Sequence, residues 1–338
     1  MPILLRRRIQ NYTRLSVCIG KTLPRGKILR DFSQFRIRQL HNSPPTLRRP
    51  SSRSHIAAGD VSIGVGIWYN SQAVKDCREE WFDAERKVAV TLVDVTSAAQ
   101  ALVRGHLCGP TSAYYLSKAL AAAALLGAET SEKDETVIVQ MKCDGPLGGF
   151  NVECTAAGTL RGYTERKTLD EFDGCGRPDD RRVLGQRQIQ VTRSVPGRIL
   201  SQGISTSLDG YLAGSLQRRA CIRLEAAVSD EAEVAEARGI MVEDMPDAAG
   251  ELVCCRVAEP KSLAVASRSI LKRLGLEHAE LRRTTPLAFA CRCSPERAAA
   301  MLSALPEAER RTLPQYVDIT CHMCGRTFSV PNLQSEAS

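Results

Sequence analysis

Four cysteines near the C-terminus form two closely spaced pairs. Cys291 and Cys293 form a C-x-C, Cys321 and Cys324 form a C-x-x-C, and 27 residues separate the two pairs. A C-x-x-C turn directs two sulfurs towards one tetrahedral zinc ion at about 2.3 Å, and a curled C-x-C can supply the other two ligands. Four thiolates close the coordination sphere, whereas a catalytic zinc needs an open position. The spacing therefore predicts one Zn²⁺ per chain, bound by these four cysteines.

The residues around the two pairs predict a small module, residues 286–332. Ser294 is expected to cap a helix that has Pro295 at its first position. Two short strands, in the segments YVDIT and RTFSV, are expected to flank the turn CHMCG, where Gly325 supplies backbone freedom. The buried stripe of the helix is expected to comprise Ala298, Met301, Leu302 and Leu305. A module of this size is near the lower limit for independent folding, so loss of the metal should unfold it.

The chemistry of these sulfurs leaves more than one interpretation open. Zinc-bound cysteines are thiolates, the form that oxidants attack, so oxidation of the pairs would remove ligands and unfold the module. A purely structural brace is the alternative, and spacing alone does not choose between brace and switch. His322 is interpreted as an exposed ring rather than a ligand, and Arg292 and Arg326 as solvated charges that flank the centre. A thioredoxin-type site is disfavoured because Gly325 and a strand, not a helix, follow Cys324.

The positive charge of the chain is concentrated in its N-terminal segment. Residues 1–55 contain eleven Arg, two Lys and one acid, Asp31, whereas the whole chain carries a net charge of only +8. An Arg-rich, Ser-containing and acid-poor N-terminus is typical of an organelle transit peptide, with a disordered extension or a wrongly chosen start codon as alternatives. We therefore expect residues 1–75 to be a disordered tail or transit peptide, and residues 333–338 a short tail. The expected location is a reducing compartment: the cytoplasm, or the mitochondrial matrix if residues 1–75 are a transit peptide.

Composition restricts the partners and the chemistry. Thirteen cysteines without a secretory signal favour metal or redox chemistry over a disulfide-stapled scaffold. No run approaches the roughly 18 apolar residues that span a bilayer, so no membrane partner is expected. Outside the tail the chain is mildly acidic, which argues against a nucleic-acid partner. The five histidines form no recognisable triad or metal-binding helix motif, so we expect no enzymatic activity.

Hydrophobic periodicity predicts an α+β domain over residues 76–246. One helix is expected to begin at a Ser97 cap, and a second, largely buried one to run from near Thr111 to Gly127. The strand candidates are KVAVTLVDVT, ETVIVQMKC, FNVECTA, TLRGYTE, RQIQVTRSV and CIRLEAAV. The turn DGPLGG between two of these segments predicts a hairpin, and helices combined with an antiparallel sheet define the fold class.

Residues 247–285 are expected to form a helical linker between this domain and the cysteine module. The segment KSLAVASRSILKRLGLE predicts one amphipathic helix. Its stripe comprises Leu263, Ser267, Ile270, Leu271 and Leu274. A single helix with an apolar face is not stable alone in water, so it must dock on another part of the protein.

The order of several motifs along the chain is informative as well. VIVQMKCDGPLGGFNVECTAAGTLRGY, LDGYLAGSLQ and GIMVEDMP are followed by CRCSPER (Cys291–Arg297) and ITCHMCG (Ile319–Gly325). This collinear combination, over residues 76–332, resembles the redox-regulated thirty-three-kilodalton heat-shock protein family of zinc-dependent holdase chaperones. Two positions depart from the family pattern: Cys143 replaces a Gly before the D-G-P turn, and Leu216 replaces the acid of S-E-Q.

The resemblance implies a function and a set of site residues. It implies an ATP-independent holdase that is inactive while reduced and zinc-bound. Oxidation would form the disulfides Cys291–Cys293 and Cys321–Cys324, expel the zinc and free the linker to expose apolar surface to unfolding client proteins. The oxidised form would be a homodimer. The alternatives from the residues alone are a structural zinc ribbon that binds nucleic acid and a thiol-disulfide oxidoreductase.

Overall fold

The computed structural model describes residues 76–174, 177–248, 253, 256 and 262–332, together with the backbone of residues 35–38. The helices are α1 (Thr96–His106), α2 (Pro110–Leu126), α3 (Asp180–Leu184), α4 (Leu208–Ser215), α5 (Ser267–Arg273), α6 (Pro295–Ser303) and α7 (Glu307–Arg310). The strands are β1 (Phe35–Arg38), β2 (Cys77–Asp83), β3 (Val88–Asp94), β4 (Thr136–Cys143), β5 (Gly149–Thr155), β6 (Thr159–Thr164), β7 (Arg187–Val195), β8 (Arg198–Ser205), β9 (Arg219–Val228), β10 (Val234–Asp244), β11 (Glu280–Pro286), β12 (Ala288–Phe289), β13 (Tyr316–Cys321) and β14 (Thr327–Pro331). The predicted α+β class is confirmed.

Two sheets pack against helix α2. One has the strand order β11-β2-β3-β10-β9 and the other β12-β6-β5-β4-β7-β8. Neighbouring strands are antiparallel except β12 and β6, which are parallel. Helix α2 contacts strands of both sheets, and 15 of its 17 residues are buried. A helix that is apolar on all sides belongs inside a core, so the buried helix expected from the Ala-rich run is confirmed.

The start of α1 differs from its prediction. Ser97 does not cap the helix; the carboxylate of Asp76 accepts hydrogen bonds from the backbone N–H groups of Ser97 (3.0 Å) and Ala98 (2.7 Å). These donors lack partners within the helix, and a carboxylate at a helix N-terminus also interacts favourably with the helix dipole. The expected cap was wrong because Asp76 reaches α1 from the start of the preceding hairpin, a contact that local sequence does not reveal.

The linker docks as expected but contains a shorter helix. Helix α5 has seven residues, and Gly275, with a φ of 72°, follows its end in the left-handed conformation typical of a helix stop. Its side chains Ile270 and Leu271 are buried against the face of the β2–β3–β10 sheet that points away from α2. That face comprises Trp81, Val88, Val90, Leu92, Ile240 and Val242. The linker then continues into β11, which pairs with β2 as the edge strand of the sheet.

One strand lies within the segment that the sequence assigns to the N-terminal tail. The backbone of β1 pairs antiparallel with β13, with Phe35 opposite Cys321 and Arg38 opposite Asp318. The expected tail over residues 1–75 therefore includes one strand, and its other residues, like residues 333–338, lie outside the described parts. Among the described helices none is long and apolar enough to cross a membrane.

Candidate metal centre

The cysteine module has the local structure that its sequence predicts. The side chain of Ser294 accepts a hydrogen bond from the Arg297 N–H at 3.3 Å, and Pro295 occupies the first position of α6. Strands β13 and β14 form a hairpin, with Gly325 at a φ of 74° in the turn between them. The core of the module comprises Ala298, Leu302, Val317, Ile319 and Val330, with Leu305 packed beside them. Met301, expected in the apolar stripe, is only half-buried.

The four cysteine sulfurs converge at one point of this module. The Sγ atoms of Cys291, Cys293, Cys321 and Cys324 all lie within 4.8 Å of one another. Cys291 and Cys321 are separated by 3.8 Å between sulfurs, and Cys293 and Cys324 by 3.4 Å. A tetrahedral zinc ion with Zn–S bonds of about 2.3 Å requires sulfurs about 3.8 Å apart. The four sulfurs therefore lie close enough together to bind one metal ion.

Burial and hydrogen bonding among the sulfurs shift the pKa values of three of the four cysteines. Hydrogen bonds from the Cys321 and Cys324 thiols hold the pKa of Cys291 far below its usual range. The hydrogen bond between Cys321 and Cys291 raises the pKa of Cys321, and burial raises the pKa of Cys293 to about 12. In this cluster the Cys291 sulfur ionises readily, whereas Cys293 and Cys321 retain their protons. A divalent metal removes that restriction, because it stabilises all four thiolates at once.

The turn that carries two of the ligands packs directly on the α+β domain. The Gly162 N–H in β6 donates to the Met323 carbonyl oxygen at 3.1 Å, and His106 Nε2 lies 2.8 Å from the Gly162 carbonyl oxygen. A Cβ atom at Gly325 would collide with the carbonyl oxygen of Gly105 at the end of α1. The ring of His322, expected to be exposed, is half-buried: it lies 4.7 Å from the ring of Tyr163, between centroids, and is not part of the sulfur cluster.

A buried arginine from β6 is the residue that sequence reasoning missed. The guanidinium of Arg161 donates to Glu153 Oε2 through Nε at 2.7 Å and Nη2 at 2.6 Å. It also forms a hydrogen bond with the side chain of Cys291. The two arginines considered from sequence, Arg292 and Arg326, are exposed. The only sequence signal for this contact is an arginine among the alternating apolar residues of TLRGYT, and the sequence does not show which residue that arginine contacts.

The two positions that depart from the family pattern lie in the α+β domain. Cys143 ends β4 and Leu216 follows α4, and both are partly buried against the main hydrophobic core. Burial raises the pKa of the Cys143 thiol, so it is less ionised than an exposed cysteine. Neither side chain belongs to the sulfur cluster.

Comparison with known proteins agrees with the fold. A solved structure of the 33 kDa chaperonin from Thermotoga maritima covers 77% of this chain and 96% of its own, with a TM-score of 0.67 and 18% identity. The 33 kDa chaperonin of Lacticaseibacillus paracasei is 28% identical over 70% of this chain and 88% of its own. The 33 kDa chaperonin of Thermus thermophilus is 27% identical over 72% of this chain and 80% of its own. The family model described as Hsp33 protein matches residues 80–331. The chain therefore belongs to the Hsp33 family of chaperones.

Proposed function

We propose that this protein is a redox-regulated, ATP-independent holdase that is inactive while reduced and bound to one Zn²⁺. The observation that carries the proposal is the closed cluster of four sulfurs in a module that packs on the α+β domain through β6 and α1. A bound Zn²⁺ would hold Cys291, Cys293, Cys321 and Cys324 as thiolates and supply the folding free energy of the small module. The chaperone name of the relatives supports the function.

Oxidation of the sulfurs by a peroxide would convert ligands into disulfides. In each pair, two thiolates lose two electrons, an S–S bond forms and the O–O bond breaks. Two protons from solvent complete two water molecules. Two peroxides would thus oxidise the pairs Cys291–Cys293 and Cys321–Cys324, and the four sulfurs would no longer bind the metal. The pairing within each motif is part of the proposal, because in the reduced cluster each sulfur also has near neighbours in the other motif.

The chain path explains how loss of the metal would reach the linker. Only a few residues separate β11 from Cys291, and they are tied to β6 by hydrogen bonds from Ala288 N to Gly158 O and from Ala290 N to Leu160 O, both 3.1 Å. Unfolding of the module would remove this anchorage and free β11 at the edge of the sheet. Undocking of the linker would then expose the apolar sheet face under α5, a surface suited to the apolar segments of unfolding client proteins.

The decisive experiment compares suppression of client aggregation by two forms of the purified protein. The reduced, zinc-loaded form is expected to be inactive, and the form treated with peroxide at mildly raised temperature to be active with or without ATP. Equal suppression by the reduced, zinc-loaded protein would contradict the switch. Sedimentation of both forms tests the proposed oxidised homodimer. Sequencing of the mature N-terminus tests whether the protein acts in the cytoplasm or, after removal of a transit peptide, in mitochondria.

A further inference from the structure

The ion pair between Arg161 and Glu153 is unusual in its burial. The two residues face each other across β5 and β6, and they are 4% and 9% exposed. Removing two charges from water is costly, and a buried ion pair often stabilises a fold no better than an apolar pair of similar size. Stabilisation of the fold therefore does not by itself explain the buried pair, and the other contacts of the guanidinium become important.

The guanidinium joins the α+β domain to one ligand of the metal centre. Arginine has five N–H donors in a planar fork, and in Arg161 Nε and Nη2 both donate to Glu153 Oε2. The same group forms a hydrogen bond with the Cys291 side chain. The backbone reinforces this contact, because the N–H of the preceding residue, Ala290, donates to Leu160 O at 3.1 Å. Cys291 is thus tied to β6 by its neighbour's backbone and by its own side chain.

We propose that Arg161 is a positioning residue of the metal centre, which orients the Cys291 sulfur as a ligand and slows its oxidation. A positive donor beside the sulfur stabilises the thiolate that binds the metal. The same hydrogen bond occupies a sulfur lone pair and lowers the nucleophilicity of Cys291 towards peroxide. Glu153 holds the guanidinium in place and balances its charge. This inference rests on the proposed function, because it requires a metal at the four sulfurs.

Removing a group that hydrogen-bonds to a metal ligand typically changes metal affinity about 10- to 100-fold. The variant Arg161→Met deletes the donors and the charge while keeping much of the side-chain length. It is expected to bind zinc more weakly by about that factor in competition with a chromogenic chelator and to release zinc faster under peroxide. With Co²⁺ in place of zinc, its thiolate charge-transfer absorption is expected to shift, which a purely structural role would not produce.

A double variant and a matched control distinguish this effect from general destabilisation. Glu153→Gln combined with Arg161→Met leaves no unpaired buried carboxylate, and it is expected to retain the metal defect even if the single variant folds poorly. Arg193→Met removes the arginine from a second ion pair of the same sheet, in which Arg193 on β7 is half-buried and Glu135 is fully buried (2.6 Å). Arg193→Met is expected to keep wild-type zinc affinity and release.

Two results would overturn the inference. One is wild-type zinc affinity and release in the folded double variant. The other is an equal loss of affinity in Arg193→Met and Arg161→Met, which would reflect destabilisation of the sheet alone. A wild-type protein that binds no zinc would instead contradict the proposed function, together with this inference.

Discussion

Gly162 of β6 and Met323 of the CHMC turn are joined by a backbone hydrogen bond of 3.1 Å. It places a residue that lies between two of the clustered cysteines, Cys321 and Cys324, against the sheet of the α+β domain. The neighbouring ring of His106 contacts the same residue through the Gly162 carbonyl oxygen, and burial lowers the pKa of His106 to about 4, so that the ring is neutral. The turn that carries Cys321 and Cys324 is therefore in direct contact with the domain that carries the proposed client-binding face.

Gly325→Ala is expected to weaken this docking. Gly325 has a φ of 74°, and an added Cβ would collide with the Gly105 carbonyl oxygen, so the cost should exceed about 1 kcal/mol. Thermal release of zinc from the reduced protein is expected at lower temperature. Gly197→Ala is the matched control, because Gly197 has a φ of 84° but open space around it. Equal zinc-release temperatures in Gly325→Ala and the wild type would contradict the tight docking.

Loosening the linker is expected to raise chaperone activity without an oxidant. Leu271 in α5 is 1% exposed, so Leu271→Ala should cost about 2–5 kcal/mol of local stability by leaving a cavity. The reduced variant should show faster amide exchange in residues 262–286 and partial suppression of client aggregation. Leu281→Ala is the control, because Leu281 in β11 is 45% exposed. Faster amide exchange without any gain in suppression of client aggregation would contradict the prediction, because linker release would then not be sufficient for client binding.

Removing the N-terminal extension is expected to expose the edge of β13. Strand β1 pairs with β13 over four residues and begins opposite Cys321, so deletion of residues 1–75 removes its ladder hydrogen bonds. Each such bond contributes about 1 kcal/mol net. Amides of Val317 to Cys321 should exchange faster in the truncated, reduced protein, and peroxide should release zinc sooner. Unchanged exchange would show that β1 does not stabilise the module.

Removing the metal under reducing conditions is expected to unfold the cysteine module while the core of the α+β domain stays folded. Its core has only five fully buried apolar side chains, whereas α2 is enclosed by both sheets. A chelator with a reductant should abolish amide protection in α6, β13 and β14, while α2 keeps its protection. Persistent protection in β13 and β14 would contradict the metal as the main source of the module's stability.

Local signals in the sequence predicted much of the site and part of the fold. The four ligands, the Ser294 cap and Gly325 are each defined by neighbours within a few residues, and the buried helix α2 by its uniformly apolar sequence. The Asp76 cap, the Arg161 contact and the pairing of β11 with β2 depend on residues far apart in sequence. Periodicity within one segment does not show which distant residues pair. The predicted linker helix was too long because the apolar stripe around Gly275 outweighed the helix-stop signal of this glycine.

The account is tested most directly by measuring zinc release and thiol loss together during peroxide treatment, with the disulfides located by mass spectrometry. If the same four sulfurs alternate between metal and disulfides, one zinc should be released as four thiols disappear, and the bonds should be Cys291–Cys293 and Cys321–Cys324. The other described cysteines, including the buried Cys108 and Cys154, should remain free thiols. Disulfides that form at other cysteines while zinc stays bound would contradict the account.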